Sequence, residues 1–148
     1  MPQAYSDYVR APSELTAAFR SKGLKVTPQR QLLFRLLYGD QTHPTAEALY
    51  LVAHAEMPGI SLRTVYQTLS DLAAMGELSP LDVGTGATRF DPNTTEHDHL
   101  VCSNCGMVRD VHAADAAALS PLEPLDGFVV GTTEIVFRGL CANCHHPS

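Results

Sequence analysis

Ser61-Leu62-Arg63-Thr64-Val65-Tyr66-Gln67-Thr68-Leu69-Ser70-Asp71-Leu72-Ala73-Ala74-Met75-Gly76 is the stretch that decides the fold. Leu62, Val65, Tyr66, Leu69 and Leu72 recur at three- and four-residue spacing, Ser61 can cap and Gly76 can stop, so a helix is predicted over Leu62 to Met75. Directly after it, Glu77 to Asp82 and Ala87 to Asp91 read as two short strands around Gly84-Thr85-Gly86, a hairpin. Upstream, Leu15, Ala18 and Phe19 predict a helix over Pro12 to Lys22 that ends at Gly23. A second helix is capped by Thr27, starts at Pro28 and carries Leu32, Leu33, Leu36 and Leu37 to a stop near Gly39. Thr45 caps a third that runs to about Ala55, before the turn at Met57-Pro58-Gly59. Short helices followed by a hairpin make a winged helix-turn-helix, whose last helix enters the DNA major groove, although the same order also occurs in modules that bind only protein.

Asp91-Pro92-Asn93-Thr94-Thr95 has the composition of a linker. Beyond it, strands are expected at about His97 to Ser103 and Met107 to Val111, an Ala-rich helix at Ala113 to Leu119, and a long strand at Phe128 to Arg138. Val129, Val130, Ile135, Val136 and Phe137 in the last of these suit a sheet or dimer interface. The fold class is therefore α+β. An N-terminal winged helix-turn-helix domain occupies residues 1–91, a hinge 92–96, and a small C-terminal α/β dimerisation domain with zinc knuckles 97–148.

The chain has 148 residues, 45% hydrophobic and 18% charged, enough for a real core in one domain or two small ones and too apolar for intrinsic disorder. No apolar run approaches the roughly 18 residues of a membrane span, and Met1 to Arg10 lacks the apolar core of a secretory signal. A soluble, cytoplasmic protein without membrane partners is expected. The net charge of −6 argues against nucleic-acid binding until it is divided along the chain. Residues 1–76 hold seven basic and six acidic residues, leaving three basic against ten acidic, or −7, beyond them. Arg20, Lys22, Lys25 and Arg30 cluster within eleven residues of the near-neutral half and can form a basic face, an ordinary solvated helix surface being the alternative.

The four cysteines form two pairs, Cys102-Ser-Asn-Cys105 and Cys141-Ala-Asn-Cys144. Each CxxC turn aims two sulfurs at one centre, and two such turns supply the four thiolates of a tetrahedral Zn²⁺ site. Gly106 follows Cys105 where a knuckle turn needs positive φ. A redox dithiol or a disulfide pair is the competing reading.

A second group mixes imidazoles and carboxylates. His97 and His99 lie two apart on an expected strand and face one side, with Asp98 on the other. Asp91 at the linker and Asp110 on the next strand could be brought near the pair, and His43 before Pro44 is the donor available from the first half. Nitrogen and oxygen donors without sulfur suit Fe²⁺, Mn²⁺ or Zn²⁺ rather than Cu⁺. Against this, a histidine before a proline is commonly an ordinary loop residue. His54, His112, His145 and His146 read as surface residues.

These residues together resemble the ferric uptake regulator family of metal-dependent bacterial repressors. The resemblance runs from about residue 15 to 144. It is carried by Thr27-Pro28-Gln29-Arg30, His43-Pro44-Thr45-Ala46, Thr64-Val65-Tyr66-Gln67-Thr68-Leu69, Arg89-Phe90-Asp91 and His97-Asp98-His99-Leu100-Val101-Cys102-Ser103-Asn104-Cys105-Gly106. Arg109-Asp110-Val111 and Gly139-Leu140-Cys141-Ala142-Asn143-Cys144 complete it. The resemblance implies a homodimeric, non-enzymatic repressor on double-stranded operator DNA, palindromic and AT-rich. It implies structural Zn²⁺ on Cys102, Cys105, Cys141 and Cys144, and a regulatory Fe²⁺ or Mn²⁺ on His43, Asp91, His97, His99 and Asp110. Asp at both carboxylate positions resembles the peroxide-sensing branch, in which iron-catalysed oxidation adds oxygen to a ligand histidine, here His43 or His97. Residues around Arg89 to Asn93 look especially like actinobacterial repressors of catalase genes. An iron-responsive repressor, or one answering to another divalent metal, is the alternative. The late strand, Gly131-Thr132-Thr133-Glu134, lacks the histidine of a third metal site that many relatives build with the middle Asp of His-x-His, here Asp98.

For DNA contact the fourth helix offers Arg63, Thr64, Tyr66 and Gln67 near its N-terminal half, with Arg30 and Lys25 toward phosphate. Core packing is the alternative for Tyr66, which shares a stripe with Val65 and Leu69. A metalloenzyme with non-haem iron ligation would leave the helix-turn-helix unexplained and has no second domain for a pocket, so no organic substrate is expected. A zinc-dependent interaction or metal-storage module is the third class, which operator-specific binding would exclude.

Overall fold

The structure, a computed structural model, describes residues 9–40, 42–84, 86–92, 94, 97–111, 126–131 and 134–145. Its contacts divide the chain into two compact units, Met1–Thr94 and Thr95–Ser148.

The first unit is a winged helix-turn-helix. Its helices are α1 (Pro12–Ser21), α2 (Pro28–Leu37), α3 (Ala46–Glu56) and α4 (Leu62–Ala74), followed by strands β1 (Ser79–Leu81) and β2 (Arg89–Asp91). Three of the four helices begin where a hydroxyl can accept an orphan amide. Thr27 accepts from Arg30 N–H at 3.2 Å, Thr45 from Ala48 N–H at 3.1 Å, and Ser61 from Thr64 N–H at 3.1 Å. Gly76 takes φ +77 at the end of α4, a conformation that any side chain would strain. The apolar stripes converge on one core in which Leu15, Phe19, Leu33, Phe34, Val65, Leu69 and Leu72 are fully buried. Phe19 and Phe34 meet edge to face at 4.8 Å. Leu62 and Tyr66, on the edge of the α4 stripe, are exposed, so Tyr66 does not pack in the core.

β1 and β2 pair antiparallel with Ser79 opposite Asp91 and Leu81 opposite Arg89. The loop before α3 is laid along the outer edge of this wing. Thr45 forms a bridge to Arg89, and Phe90 N–H donates to Pro44 C=O at 3.1 Å.

The second unit carries a three-stranded sheet in the order β4-β3-β5, from β3 (Asp98–Cys102), β4 (Val108–Val111) and β5 (Val136–Gly139). β4 runs antiparallel to β3 with His99 opposite Asp110, and β5 runs parallel to β3 with His99 opposite Val136. The long strand expected over Phe128 to Arg138 is instead short. A strand extends only as far as its partner, and five-residue β3 offers β5 four rungs, His99 to Cys102. Before the first rung the Ile135 N–H is taken by the Asp98 carboxylate at 2.9 Å, while Phe128 and Val129 lie exposed outside any ladder. Asp98 is thereby tied to the entry of β5. The helix expected at Ala113 to Leu119, with His112, lies outside the described residues. Among the described residues no helix is long and apolar enough to cross a membrane.

Candidate functional site

The knuckle turns gather the cysteines. Gly106, at φ +76, turns the chain after Cys105 and donates its N–H to Cys102 C=O, and Cys144 N–H returns to Cys141 C=O. The donor atoms of Cys102, Cys105, Cys141 and Cys144 all lie within 4.8 Å of one another, and Cys105 Sγ stands 3.8 Å from Cys141 Sγ. Four sulfurs at about 2.3 Å from one tetrahedral ion stand about 3.8 Å apart, so the donor set fits Zn²⁺. A disulfide requires about 2.05 Å between sulfurs, and all four cysteines are free. The turn amides polarise the site unevenly. Backbone N–H groups of Cys105 and Cys141 directed at Cys102 bring its thiol down to about 6, favouring the thiolate. The Cys144 thiol, although it accepts from Asn104 Nδ2 at 3.3 Å, is pushed up to about 11 by the neighbouring sulfurs and by burial.

In the first unit, His43 and Asp91 form a buried pair, Nε2 to Oδ2 3.3 Å. The wing explains the pairing: the bridge from Thr45 to Arg89 lays the His43 loop against β2, and Asp91 is the last residue of that strand. His43 adopts φ +55, uncommon for a residue with a Cβ, and precedes a proline. Arg89 Nη1 holds it there by donating to His43 C=O at 3.1 Å.

In the second unit the extended chain entering β3 puts His97, just before the strand, and His99, within it, on one side, ring centroids 4.5 Å apart. Asp110, opposite His99 on β4, places Oδ1 3.0 Å from His97 Nε2 and 3.4 Å from His99 Nε2. Donors at about 2.1 Å from one ion and at right angles to each other stand about 3 Å apart, so these spacings are those of adjacent metal ligands. Glu134, unassigned by the sequence reading beyond its place on the late strand, puts Oε1 2.9 Å from His99 Nδ1. Only the parallel pairing of β5 with β3 brings it there, and no local pattern encodes that pairing.

An open cleft of about 490 Å³ in the first unit is lined by Lys25, Arg30, Arg63, Thr64 and Gln67, five of the six residues picked for DNA contact. Arg63 and Gln67 are exposed on α4, beside Lys25 in the loop before α2. Arg30 is more deeply engaged. Its guanidinium donates to Lys25 C=O at 2.7 Å and to Asp71 at 3.3 Å and lies over the Phe19 ring, which makes it a brace between α2 and α4. Tyr66, the sixth, is exposed, and its hydroxyl donates to the Glu47 carboxylate on α3. That bond holds the Glu47 carboxyl below its usual range and pushes the Tyr66 phenol up.

With this geometry in view, comparison with known proteins gives a consistent set of relatives. The profile of the ferric uptake regulator family matches residues 21–136. The peroxide-responsive repressor PerR of Staphylococcus epidermidis is 33% identical over 132 residues, 88% of this chain and 88% of its own. Among solved structures, a zinc-bound manganese uptake regulator superposes with a TM-score of 0.71 at 25% identity, covering 89% of this chain and 99% of that one. The ferric uptake regulator of Vibrio cholerae does so with a TM-score of 0.64 at 27% identity, covering 86% and 99%.

Proposed function

The chain belongs to the ferric uptake regulator family of metal-responsive transcriptional regulators, and on that footing we propose that it is a DNA-binding repressor that senses hydrogen peroxide. The observation that carries this reading is the donor geometry. Three imidazoles each hold Nε2 3.0 to 3.4 Å from an aspartate oxygen, and the carboxylates at Asp91 and Asp110 are the short ones that resemble the peroxide-sensing branch. The 33% identity to a peroxide-responsive repressor supports the same choice.

In this reading Cys102, Cys105, Cys141 and Cys144 hold structural Zn²⁺, and His43, Asp91, His97, His99 and Asp110 hold one regulatory Fe²⁺ or Mn²⁺. Residues 1–91 act as the DNA-binding domain, 92–96 as the hinge and 97–148 as the dimerisation domain. Ligands drawn from both sides of the hinge give the bound ion different affinities for different arrangements of the two domains, so occupancy shifts the population toward the arrangement that fits DNA. Fe²⁺ held by these residues would supply the chemistry that reduces peroxide, and the imidazole of His43 or His97 would be the ligand that takes up one oxygen, the other leaving as water. A ring altered in that way would no longer donate as before. The partner is a palindromic, AT-rich operator, met by Arg63, Thr64, Tyr66 and Gln67 of α4, with Lys25 and Arg30 toward phosphate. The exposed apolar residues Phe128, Val129, Val130, Phe137 and Leu140 fit burial against a second copy of the chain. Catalase genes are the targets that the resemblance points to.

The deciding experiment loads the protein anaerobically with Fe²⁺ or Mn²⁺, adds stoichiometric hydrogen peroxide, and weighs the peptides containing His43 and His97. One added oxygen in the iron form alone is expected. Unmodified histidines in both forms would replace this reading with an iron-responsive repressor.

A further inference from the structure

Glu134 precedes β5 by two residues and stands outside the proposed ligand set, yet its carboxylate meets the ring of His99 on the side away from Asp110. Oε1 lies 2.9 Å from Nδ1, while Nε2 of the same ring faces Asp110 Oδ1 at 3.4 Å. The His99 side chain is 4% exposed and that of Glu134 50%, so the carboxylate reaches a buried ring from the solvent side. We infer that Glu134 is the positioning residue of the regulatory site, accepting the Nδ1–H of His99 and so leaving the Nε2 lone pair directed at the ion.

The argument starts from the imidazole. A neutral histidine carries one N–H and one lone pair, and only the lone pair can ligate. An ionised carboxylate only accepts, so Glu134 against Nδ1 requires the proton there. The opposite tautomer would set a lone pair against the carboxylate and turn an N–H toward the ion. A carboxylate behind a ligating imidazole also raises its basicity and fixes the plane of the ring.

The fold supplies Glu134 with little freedom. On its C-terminal side, Ile135 N–H donates to Asp98 Oδ1 at 2.9 Å, and Ile135 C=O accepts from His99 N–H at 3.1 Å. Asp98 and His99 itself thus both grip the residue next to Glu134. Asp98 has no need to be a ligand to matter: it fixes the backbone from which Glu134 reaches the ring.

This inference rests on the regulatory site proposed above, and its test keeps the two apart. Zinc-loaded full-length protein with ¹⁵N-labelled histidine is prepared with Glu134 intact, as Glu134→Ala and as Glu134→Gln. Long-range ¹H–¹⁵N correlation reads the His99 tautomer without regulatory metal, and Mn²⁺ titration followed by electron paramagnetic resonance reads affinity. Intact Glu134 is expected to keep a proton on Nδ1, whatever Nε2 carries toward Asp110 in the metal-free site. Glu134→Ala should give a mixture and weaken Mn²⁺ binding about 10- to 100-fold at unchanged zinc content. Glu134→Gln keeps an acceptor oxygen without the charge and should lose less, which separates positioning from misfolding. Either the tautomer or the affinity unchanged in Glu134→Ala overturns the assignment while leaving the site standing. Failure of the intact protein to bind Mn²⁺ overturns both.

Discussion

Two cysteines of one proposed zinc site differ in their readiness to ionise: the turn amides draw the Cys102 thiol down to about 6, while neighbouring sulfurs and burial push Cys144 up to about 11. A ligating sulfur must lose its proton, so zinc uptake releases protons and zinc affinity should fall as pH is lowered, read by competition with a chelator at about pH 8 and about pH 5.5. Affinity independent of pH across that interval would contradict ligation by thiolates. His43 offers a second case at this scale. Its left-handed backbone costs on the order of 1 to 3 kcal/mol and persists because Arg89 holds the carbonyl. Arg89→Ala is expected to destabilise the first unit by about 1 to 3 kcal/mol, read from urea unfolding, since a part-buried acceptor loses its donor. Mn²⁺ affinity should fall with it.

Among the elements, α4 carries the most of both fold and function. Its cap, Ser61 Oγ, accepts from Thr64 N–H, so Ser61→Ala should cost about 1 kcal/mol in thermal or denaturant unfolding with no change in zinc content. Opposite its buried face, Arg63 and Gln67 stand in the basic cleft. Lys25→Ala should weaken binding to all DNA sequences alike and reduce the salt slope by about one, while Gln67→Ala should relax sequence preference. The elements of the first unit were legible because their signals are local. Caps at Thr27, Thr45 and Ser61, with glycines after the helices, mark boundaries that the structure moves by only a residue or two. What was not legible depends on partners far along the chain. The length of β5 is set by β3, and the place of Glu134 by their parallel register. The exposure of Tyr66 depends on what packs beside α4, which a stripe of period 3.6 leaves open at its edges. For the metal ligands the reverse holds. The His-x-His and CxxC spacings fix which side chains share a side, so His97 with His99 and Cys102 with Cys105 followed from sequence, whereas the Asp110 partnership required the hairpin.

At the scale of the whole molecule, the described residues of the two units carry different stabilising features. The buried apolar cluster, from Val9 through Leu72 to Phe90, lies wholly within the first unit, as do all four described helices. In the second, the buried hydrophobic residues among those described are Val101, Cys102 and Val108, and one of the three is a proposed zinc ligand. The four-thiolate site joins the β3 turn to the chain after β5, so an ion bound there would staple these two segments together. Removing zinc with a strong chelator under reducing conditions should therefore act on one unit only. Amide protection in β3, β4 and β5 should be lost and the dimer should dissociate, while far-ultraviolet circular dichroism keeps its helical signal and the first unit unfolds at its own temperature. Collapse of the helical signal in the same step would mean that the first unit takes its stability from the second. Sheet protection surviving complete zinc removal would mean that the thiolates are not the staple, and the burial of the second unit would then have to come from its dimer face.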